Sequence, residues 1–196
     1  MADSLAPDGV KPLLGGRFGE VYRYAQRATS TQRMLEAGDA EGTIAVAEEQ
    51  SEGRGRLGRS WEAPAGSSIL VSLVLVPPVE APRLPELSLV AGGAVAQAIA
   101  SVTGIQPAIK YPNDVLIEGR KVAGILAESS DGRVLLGVGV NVNQTEDELP
   151  VETQTEPTSL RVELGERVDR RVLLAALLRE LERAYDRWVS ETSASG

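Results

Sequence analysis

The chain of 196 residues contains no cysteine and no histidine. Without cysteine there is no disulfide framework, no thiol nucleophile and no iron–sulfur cluster. Without histidine, the usual zinc sites and every Ser-His or Cys-His device are excluded. Aromatic residues are sparse, at 4%. No apolar run approaches the roughly 20 residues that cross a bilayer. The longest, residues 69–76, is interrupted by Ser72 and stopped by Pro77 and Pro78. The expectation is a protein with no membrane segment. Residues 1–8 carry Asp3 and Asp8 and lack the basic-then-apolar pattern of a signal peptide, so a cytoplasmic location is expected. With 20 basic against 28 acidic residues the net charge is −8, which argues against nonspecific nucleic-acid binding. An anionic ligand must therefore be held by a local cationic site working against the field of the whole chain.

Two further residue types are scarce. Lysine occurs at Lys11, Lys110 and Lys121, with arginine everywhere else a cation stands, and asparagine only at Asn113, Asn141 and Asn143. A chain that writes arginine wherever either cation would serve has placed two lysines in the stretch that also holds its asparagines. Lys110, Asn113, Lys121 and Asn141 are thus marked out by rarity alone.

Along the chain, residues 1–18 are rich in Gly, Pro and Ala and read as a loose N-terminal arm. Strands are expected at 20–25 and 43–47, with a short helix at 31–37 capped by Thr29 or Ser30 and ended by Gly38. Residues 50–66 form a loop rich in glycine and arginine. Residues 68–76 read as a strand buried on both faces. A helix from Pro85 to Val102 carries Leu87, Val90, Ala91, Ala94, Val95, Ala98 and Val102 on one face, and Gly92 and Gly93 suggest close packing on a sheet. Strands follow at 108–111, 115–117, 121–129 and 134–142, with hairpin turns at Glu118-Gly119-Arg120 and Asp131-Gly132. An acidic loop spans 144–156, and Asp169 caps a last helix to Trp188. Helices and hairpins alternate with no strict strand–helix–strand repeat. That pattern favours α+β, with a mixed, largely antiparallel sheet flanked by helices.

The densest local signal is Gly53-Arg54-Gly55-Arg56-Leu57-Gly58-Arg59. Its glycines match a dinucleotide fingerprint only in letters. That fingerprint needs a helix opening at the third glycine, and Trp61, Pro64 and Gly66 forbid one. What remains is a loop in which backbone N–H groups and three guanidiniums can approach phosphate or carboxylate. A solvated arginine-rich turn is the competing reading. Lys110-Tyr111-Pro112-Asn113-Asp114 ends a strand in a proline corner, which a purely structural turn explains equally well. Lys121-Val122-Ala123-Gly124-Ile125-Leu126 places a glycine where a ligand could meet the backbone. Gly137-Val138-Gly139-Val140-Asn141 adds a second side-chain-free patch, where a flat ligand could lie.

In this order, and together with Ser30-Thr31 and Thr158-Ser159-Leu160, these segments resemble the catalytic domain of biotin–protein ligases over residues 19–190. The resemblance implies the class II aminoacyl-tRNA synthetase-like architecture of the biotin–lipoyl ligase catalytic domain. It also implies a two-step reaction with biotin and ATP as substrates and Mg²⁺ as helper. Biotin carboxylate attacks the α-phosphate to give biotinyl-5′-adenylate and pyrophosphate, and a lysine of a biotin carboxyl carrier protein, an acetyl-CoA carboxylase subunit or domain, then takes the acyl group. Opposing two anions in this way calls for fixed cations and positioning.

Carried over by position, Lys121, Arg56 and Asp114 are the catalytic candidates. Ser30, Thr31, Gln32, Gln50, Gly53, Arg54, Gly55, Arg56, Lys121, Gly124, Gly137 and Gly139 are the biotin-binding candidates. Arg56, Arg59, Trp61, Lys110, Asn113, Asp114, Lys121 and Asn141 would serve ATP, with Asp114 on the metal. The family commonly has Asn where Gln32 stands and Trp where Tyr111 stands. Neither an N-terminal DNA-binding domain nor the family's small C-terminal barrel is expected, and a homodimer is possible. A lipoate or octanoate ligase of the same fold, or a non-catalytic biotin-binding regulator, are the alternative readings.

Overall fold

The protein is described by a computed structural model covering residues 3–151 and 153–193. Residues 1–2 of the expected arm and residue 152 of the expected acidic loop lie outside the described residues. The strands are β1 (Tyr22–Ala25), β2 (Ile44–Ala47), β3 (Ser68–Leu75), β4 (Ala108–Lys110), β5 (Asp114–Ile117), β6 (Arg120–Ser130) and β7 (Arg133–Asn141). They form one 7-stranded sheet in the order β1-β2-β3-β7-β6-β5-β4. β1 and β2 pair in parallel, and every other pairing is antiparallel. The helices are α1 (Pro7–Val10), α2 (Leu87–Thr103), α3 (Leu160–Leu164) and α4 (Arg170–Ser193). The expected α+β class with a mixed, largely antiparallel sheet holds.

Strand alternation decides what each face of the sheet does. Ile69, Val71, Leu73 and Leu75 of β3, with Val134, Leu136, Val138 and Val140 of β7, join one apolar core with α2 and α4. Each such side chain, fully buried, stabilises the fold by about 1.5–3 kcal/mol. The residues between them, Ser72 on β3 and Gly137 and Gly139 on β7, face the other way and line a cleft. The two expected hairpins form as read. Glu118 (φ 48°) and Gly119 (φ 84°), and likewise Asp131 (φ 53°) and Gly132 (φ 74°), hold the left-handed pair that a tight two-residue turn needs. Asp169 accepts from the backbone of Arg171 at 2.9 Å and so caps α4 as expected.

Two expectations need correction. The N-terminal segment is no loose arm. Leu5 and Val10 are fully buried, Phe18 is 1% exposed, and α1 docks on α4. A buried ion cluster fixes it there. Arg170, itself fully buried, contacts Asp3 at 3.1 Å and Glu48 at 2.7 Å, while Glu48 also accepts from the Leu5 backbone at 2.7 Å. Burial works against the Arg170 charge, but Asp3 and Glu48 outweigh it and hold its pKa above the ordinary value. Gly and Pro content had pointed to looseness; the three spaced apolar residues and one carboxylate decide the outcome.

The expected helix at 31–37 shrinks to a single 3-10 turn, Gln32–Met34. No side chain caps that turn, and the Thr31 hydroxyl just before it is committed to Ser72 and Gln50. The segment Ala81–Thr103 reaches the length and apolarity of a membrane-crossing helix despite lacking a long uninterrupted run. Its face Leu87, Ala91, Ala94, Val95 and Ala98 is taken up by the core with α4 and β6, so it is the central helix of the fold. Finally, α3 had no place in the sequence reading. Its signals were Ser159, whose hydroxyl accepts from Val162 N at 3.1 Å, and Gly165 at φ 75° as its left-handed stop.

Candidate functional site

The cleft measures about 700 Å³, in the range of sites for cofactor-sized ligands. Its floor is built by register. Gly137 of β7 lies between Ser72 of β3 and Leu126 of β6, and two residues on, Gly139 lies between Leu70 and Gly124. With no side chains at 124, 137 and 139, the sheet surface itself is reachable.

Over that floor lies the arginine–glycine loop. It is folded back on itself, with Trp61 N donating to Gly53 O at 2.9 Å and Gly55 N to Arg59 O at 2.7 Å. This places the Trp61 indole on Gly124 and Gly139. A methyl group at Gly139 would stand 2.5 Å from the indole, and one at Gly124 2.9 Å from it. Gly53 itself does not line the cleft; a methyl group there would collide with the Trp61 carbonyl, so its place is beneath the loop. The three loop arginines differ. Arg54 pairs with Glu128 at 2.6 Å, and Arg59 donates to Gln154 at 2.9 Å. Arg56 reaches only the Asn113 amide oxygen, at 3.4 Å, and has no carboxylate partner among the described residues. Among the described residues its planar fork is the least engaged of the three and is open to an anion.

One end of the cleft is polar and uncharged. Gln50 Oε1 accepts from Thr31 N at 2.7 Å and from the Thr31 hydroxyl at 3.1 Å, and that hydroxyl lies 2.7 Å from Ser72. Buried Gln32 donates to Leu135 O at 3.3 Å and sits above Gly137. Such a set of small donors and acceptors suits a neutral polar head group.

The other side carries the charge. Lys121 Nζ stands 2.8 Å from Asp114 Oδ1 and 5.6 Å from the Trp61 ring centre. The Lys121 backbone is clamped, its N–H donating to Glu156 O at 2.7 Å and its carbonyl accepting from Thr158 N at 2.8 Å. Asn113 bonds Ile125 through both its amide side chain (3.2 Å) and its carbonyl (2.9 Å), which fixes the corner after the cis Tyr111–Pro112 peptide. Asn141 lines the cleft, but its side chain already braces it, donating to Thr158 O and accepting from Gln144, both at 3.0 Å. Lys110 departs from the expected set, because it donates to Thr155 at 2.9 Å and does not line the cleft.

Apart from Gly53 and Lys110, the sequence-derived candidates Ser30, Thr31, Gln32, Gln50, Arg54, Gly55, Arg56, Arg59, Trp61, Asn113, Asp114, Lys121, Gly124, Gly137, Gly139 and Asn141 all line this one cleft. Two groups were missed. Ser72 had a signal, a hydroxyl in the middle of a strand buried throughout. The rim at Pro150, Val151, Gln154, Thr155 and Pro157 had none, since nothing in its residue types announces a ligand.

The chain matches the sequence model of the biotin/lipoate A/B protein ligase family over residues 21–144. It is 41% identical over 177 residues to the bifunctional ligase/repressor BirA of Bacillus subtilis, covering 86% of this chain and 54% of that protein. It is 42% identical over 161 residues to the biotin--[acetyl-CoA-carboxylase] ligase of Mycobacterium tuberculosis, covering 80% of this chain and 59% of that protein. The chain thus spans little more than half the length of these relatives. The fold resembles that of the Aquifex aeolicus biotin protein ligase in complex with biotin and ATP, at a TM-score of 0.80 and 33% identity, covering 88% of this chain and 73% of the other. From the family match and the shared fold together, the chain belongs to the biotin/lipoate A/B protein ligase family.

Proposed function

We propose that this chain activates biotin with ATP as an acyl-adenylate and passes the biotinyl group to a lysine of a carrier protein. The observation that carries the reading is one cleft with a neutral polar end and a cationic end on a common glycine floor. Thr31, Gln50 and Ser72 suit the amide-like head of biotin, and Lys121 and Arg56 suit a carboxylate brought against an α-phosphate. Relatives that carry the ligase name, and a neighbouring fold seen with biotin and ATP, support it.

In the first step biotin carboxylate attacks the α-phosphorus and the bond to the leaving pyrophosphate breaks. Lys121, released from Asp114, neutralises charge between the two anions, and Arg56 closes over them. Catalysis here is positioning and electrostatics, with no protein nucleophile needed. In the second step a neutral lysine amine attacks the acyl carbon and AMP leaves.

Among the described residues no cluster of three His, Cys, Asp or Glu is arranged to hold a metal ion. One carboxylate fits a Mg²⁺ that arrives on the triphosphate, since Mg²⁺ is commonly held by one or two carboxylates plus substrate phosphates. Asp114 would hold it, and Mg²⁺ would supply neutralisation of phosphate charge.

The test is ATP–pyrophosphate exchange dependent on added acid, with biotin and lipoate compared side by side. Exchange with biotin is expected. Better exchange with lipoate or octanoate would move the specificity to the other branch of the family, and none with any acid would leave a binding module.

A further inference from the structure

Arg170, the first residue of α4, is fully buried and does not line the cleft. Its guanidinium engages all five of its N–H donors. Nη1 donates to Glu48 Oε2 at 2.7 Å and to the Ser68 carbonyl at 3.0 Å. Nε donates to Asp3 Oδ2 at 3.1 Å, and Nη2 to the Asp3 carbonyl at 3.1 Å and to Asp3 Oδ1 at 3.4 Å. Such a cluster is a poor way to gain stability. Desolvating the charges costs about what their attraction returns, and packed apolar side chains often serve a fold as well. What a saturated planar fork does supply is direction, because it holds every acceptor at a set angle.

Two arms lead from this fork to the two ends of the cleft. Glu48 directly follows β2, and its backbone ties three strands together. Its N–H donates to Ala25 O at 3.2 Å, and its carbonyl accepts from Gly66 N, just before β3, at 3.0 Å. Two residues on, Gln50 bridges to Ala28 and holds Thr31 at the neutral end. The second arm starts at Ser68, whose hydroxyl accepts from Gln144 at 2.6 Å. Gln144 also donates to Asn141, and Asn141 to the Thr158 carbonyl, both at 3.0 Å. Thr158 N then donates to the Lys121 carbonyl at 2.8 Å. Asp3 reinforces this arm by accepting from the Asn143 amide at 3.2 Å. The side chains of Ser68, Asn141, Asn143, Gln144 and Thr158 are all buried. We infer that Arg170 is a positioning residue for both ends of the cleft. One buried guanidinium sets Gln50 and Thr31 on one side and the Lys121 backbone on the other, without touching either substrate. Assigning substrates to the ends rests on the proposed biotin ligase reading; the two-armed support does not.

The experiment compares the wild-type chain with Arg170→Lys, Glu48→Gln and Arg17→Ala. Lysine keeps the buried charge and loses the fork. Arg17 is the control, because it ties the N-terminal segment to α4 through Glu182 at 3.0 Å and Asp186 at 2.5 Å and does not line the cleft. In Arg170→Lys, KM for biotin should rise about tenfold, the scale of one lost hydrogen bond. Turnover of ATP–pyrophosphate exchange should fall by about 10- to 100-fold as Lys121 is displaced. Glu48→Gln trims the first arm alone and should raise KM for biotin while leaving KM for ATP unchanged. Arg17→Ala should lower the melting temperature and leave KM and turnover as they were. If Arg170→Lys melts lower yet keeps wild-type KM and turnover, Arg170 is merely structural and the proposal fails. If that variant does not fold, Glu48→Gln decides, and an unchanged KM for biotin overturns the role. Amide hydrogen–deuterium protection gives a readout that needs no turnover. Arg170→Lys should lose protection at Thr31 N, bonded to Gln50, and at Thr158 N, bonded to Lys121. Loss at one end only, or at neither, overturns the two-ended role. Equal loss in Arg17→Ala would mean general loosening and overturn it too. If the wild-type chain shows no biotin-dependent turnover while Arg170→Lys still loses protection at both ends, the function reading fails and the positioning role stands.

Discussion

The two faces of the sheet are made by the same strands and could hardly differ more. On the helix side of β7, Val134, Leu136, Val138 and Val140 are at most 5% exposed and packed into one core. On the cleft side the intervening positions 137 and 139 are glycine. One face gains stability by filling space with methyl groups; the other gives up that stability to leave a surface that a ligand and one indole can touch. A protein interior at crystal-like density has no vacancy to offer, so a binding cleft must be written into the sequence as residues too small to fill it.

Changes on the two faces should therefore separate stability from activity, and the largest effect belongs to the packed side. Leu136→Ala, at a fully buried core position, is expected to cost about 2–5 kcal/mol of unfolding free energy by chemical denaturation. The folded fraction should keep its KM for biotin. A shifted KM would mean that the helix face is not insulated from the cleft.

The mirror experiment is Gly139→Ala. Its methyl group would stand 2.5 Å from the indole, so Trp61 must move. Turnover should drop on the order of 100-fold, the cost of reacting groups displaced by about an ångström, while the denaturation midpoint barely changes. Loss of stability comparable to that of Leu136→Ala would erase the contrast between the faces.

Lys121→Arg should damage exchange almost as much as Lys121→Ala. The loss of one charge-assisted contact at about 1.5–3 kcal/mol corresponds to roughly 10- to 150-fold in rate. A guanidinium is larger, planar and differently aimed than the ammonium held 2.8 Å from Asp114. Exchange at the wild-type rate in the arginine variant would remove Lys121 from the mechanism.

The smallest effect is a gain. Gly93 lies within α2, and a methyl group there would meet only Ile109 Cδ1, at 3.9 Å. Gly93→Ala should stabilise by up to ~1 kcal/mol through helix propensity and leave exchange unchanged. A loss would show that the α2–β4 contact is tighter than its geometry indicates.

Much of both faces could be read in advance, for a physical reason common to them. A strand repeats every two residues and a helix every 3.6, so the core side of β3, β7, α2 and α4 announces itself as periodic apolar positions. The cleft side announces itself by exceptions to that pattern: Gly124, Gly137, Gly139, and the lysine at 121 in a chain that otherwise writes arginine. Features with neither period nor exception stayed hidden. The rim at Gln154 and Pro157 is built of ordinary loop residues, recruited because Lys121 N–H needs the Glu156 carbonyl as a partner. The N-terminal segment was misjudged because composition cannot reveal that Asp3 lies 3.1 Å from a buried guanidinium 167 positions away.

The sequence by itself determined the strand and helix periods, the hairpin turns at Glu118-Gly119 and Asp131-Gly132, and the residue types of the site, because each of these is set by local sterics or by the need of a charge for a counter-charge. Only the tertiary structure decided which of them meet. The register of β7 between β3 and β6 lines up Ser72, Gly137, Gly139 and Gly124. The fold of residues 53–61 sets Trp61 on the last two, and the 156–158 segment holds Lys121 with its ammonium over the Trp61 ring. Such meetings depend on hydrogen bonds between residues far apart in the chain, and no local rule of backbone or side chain contains them.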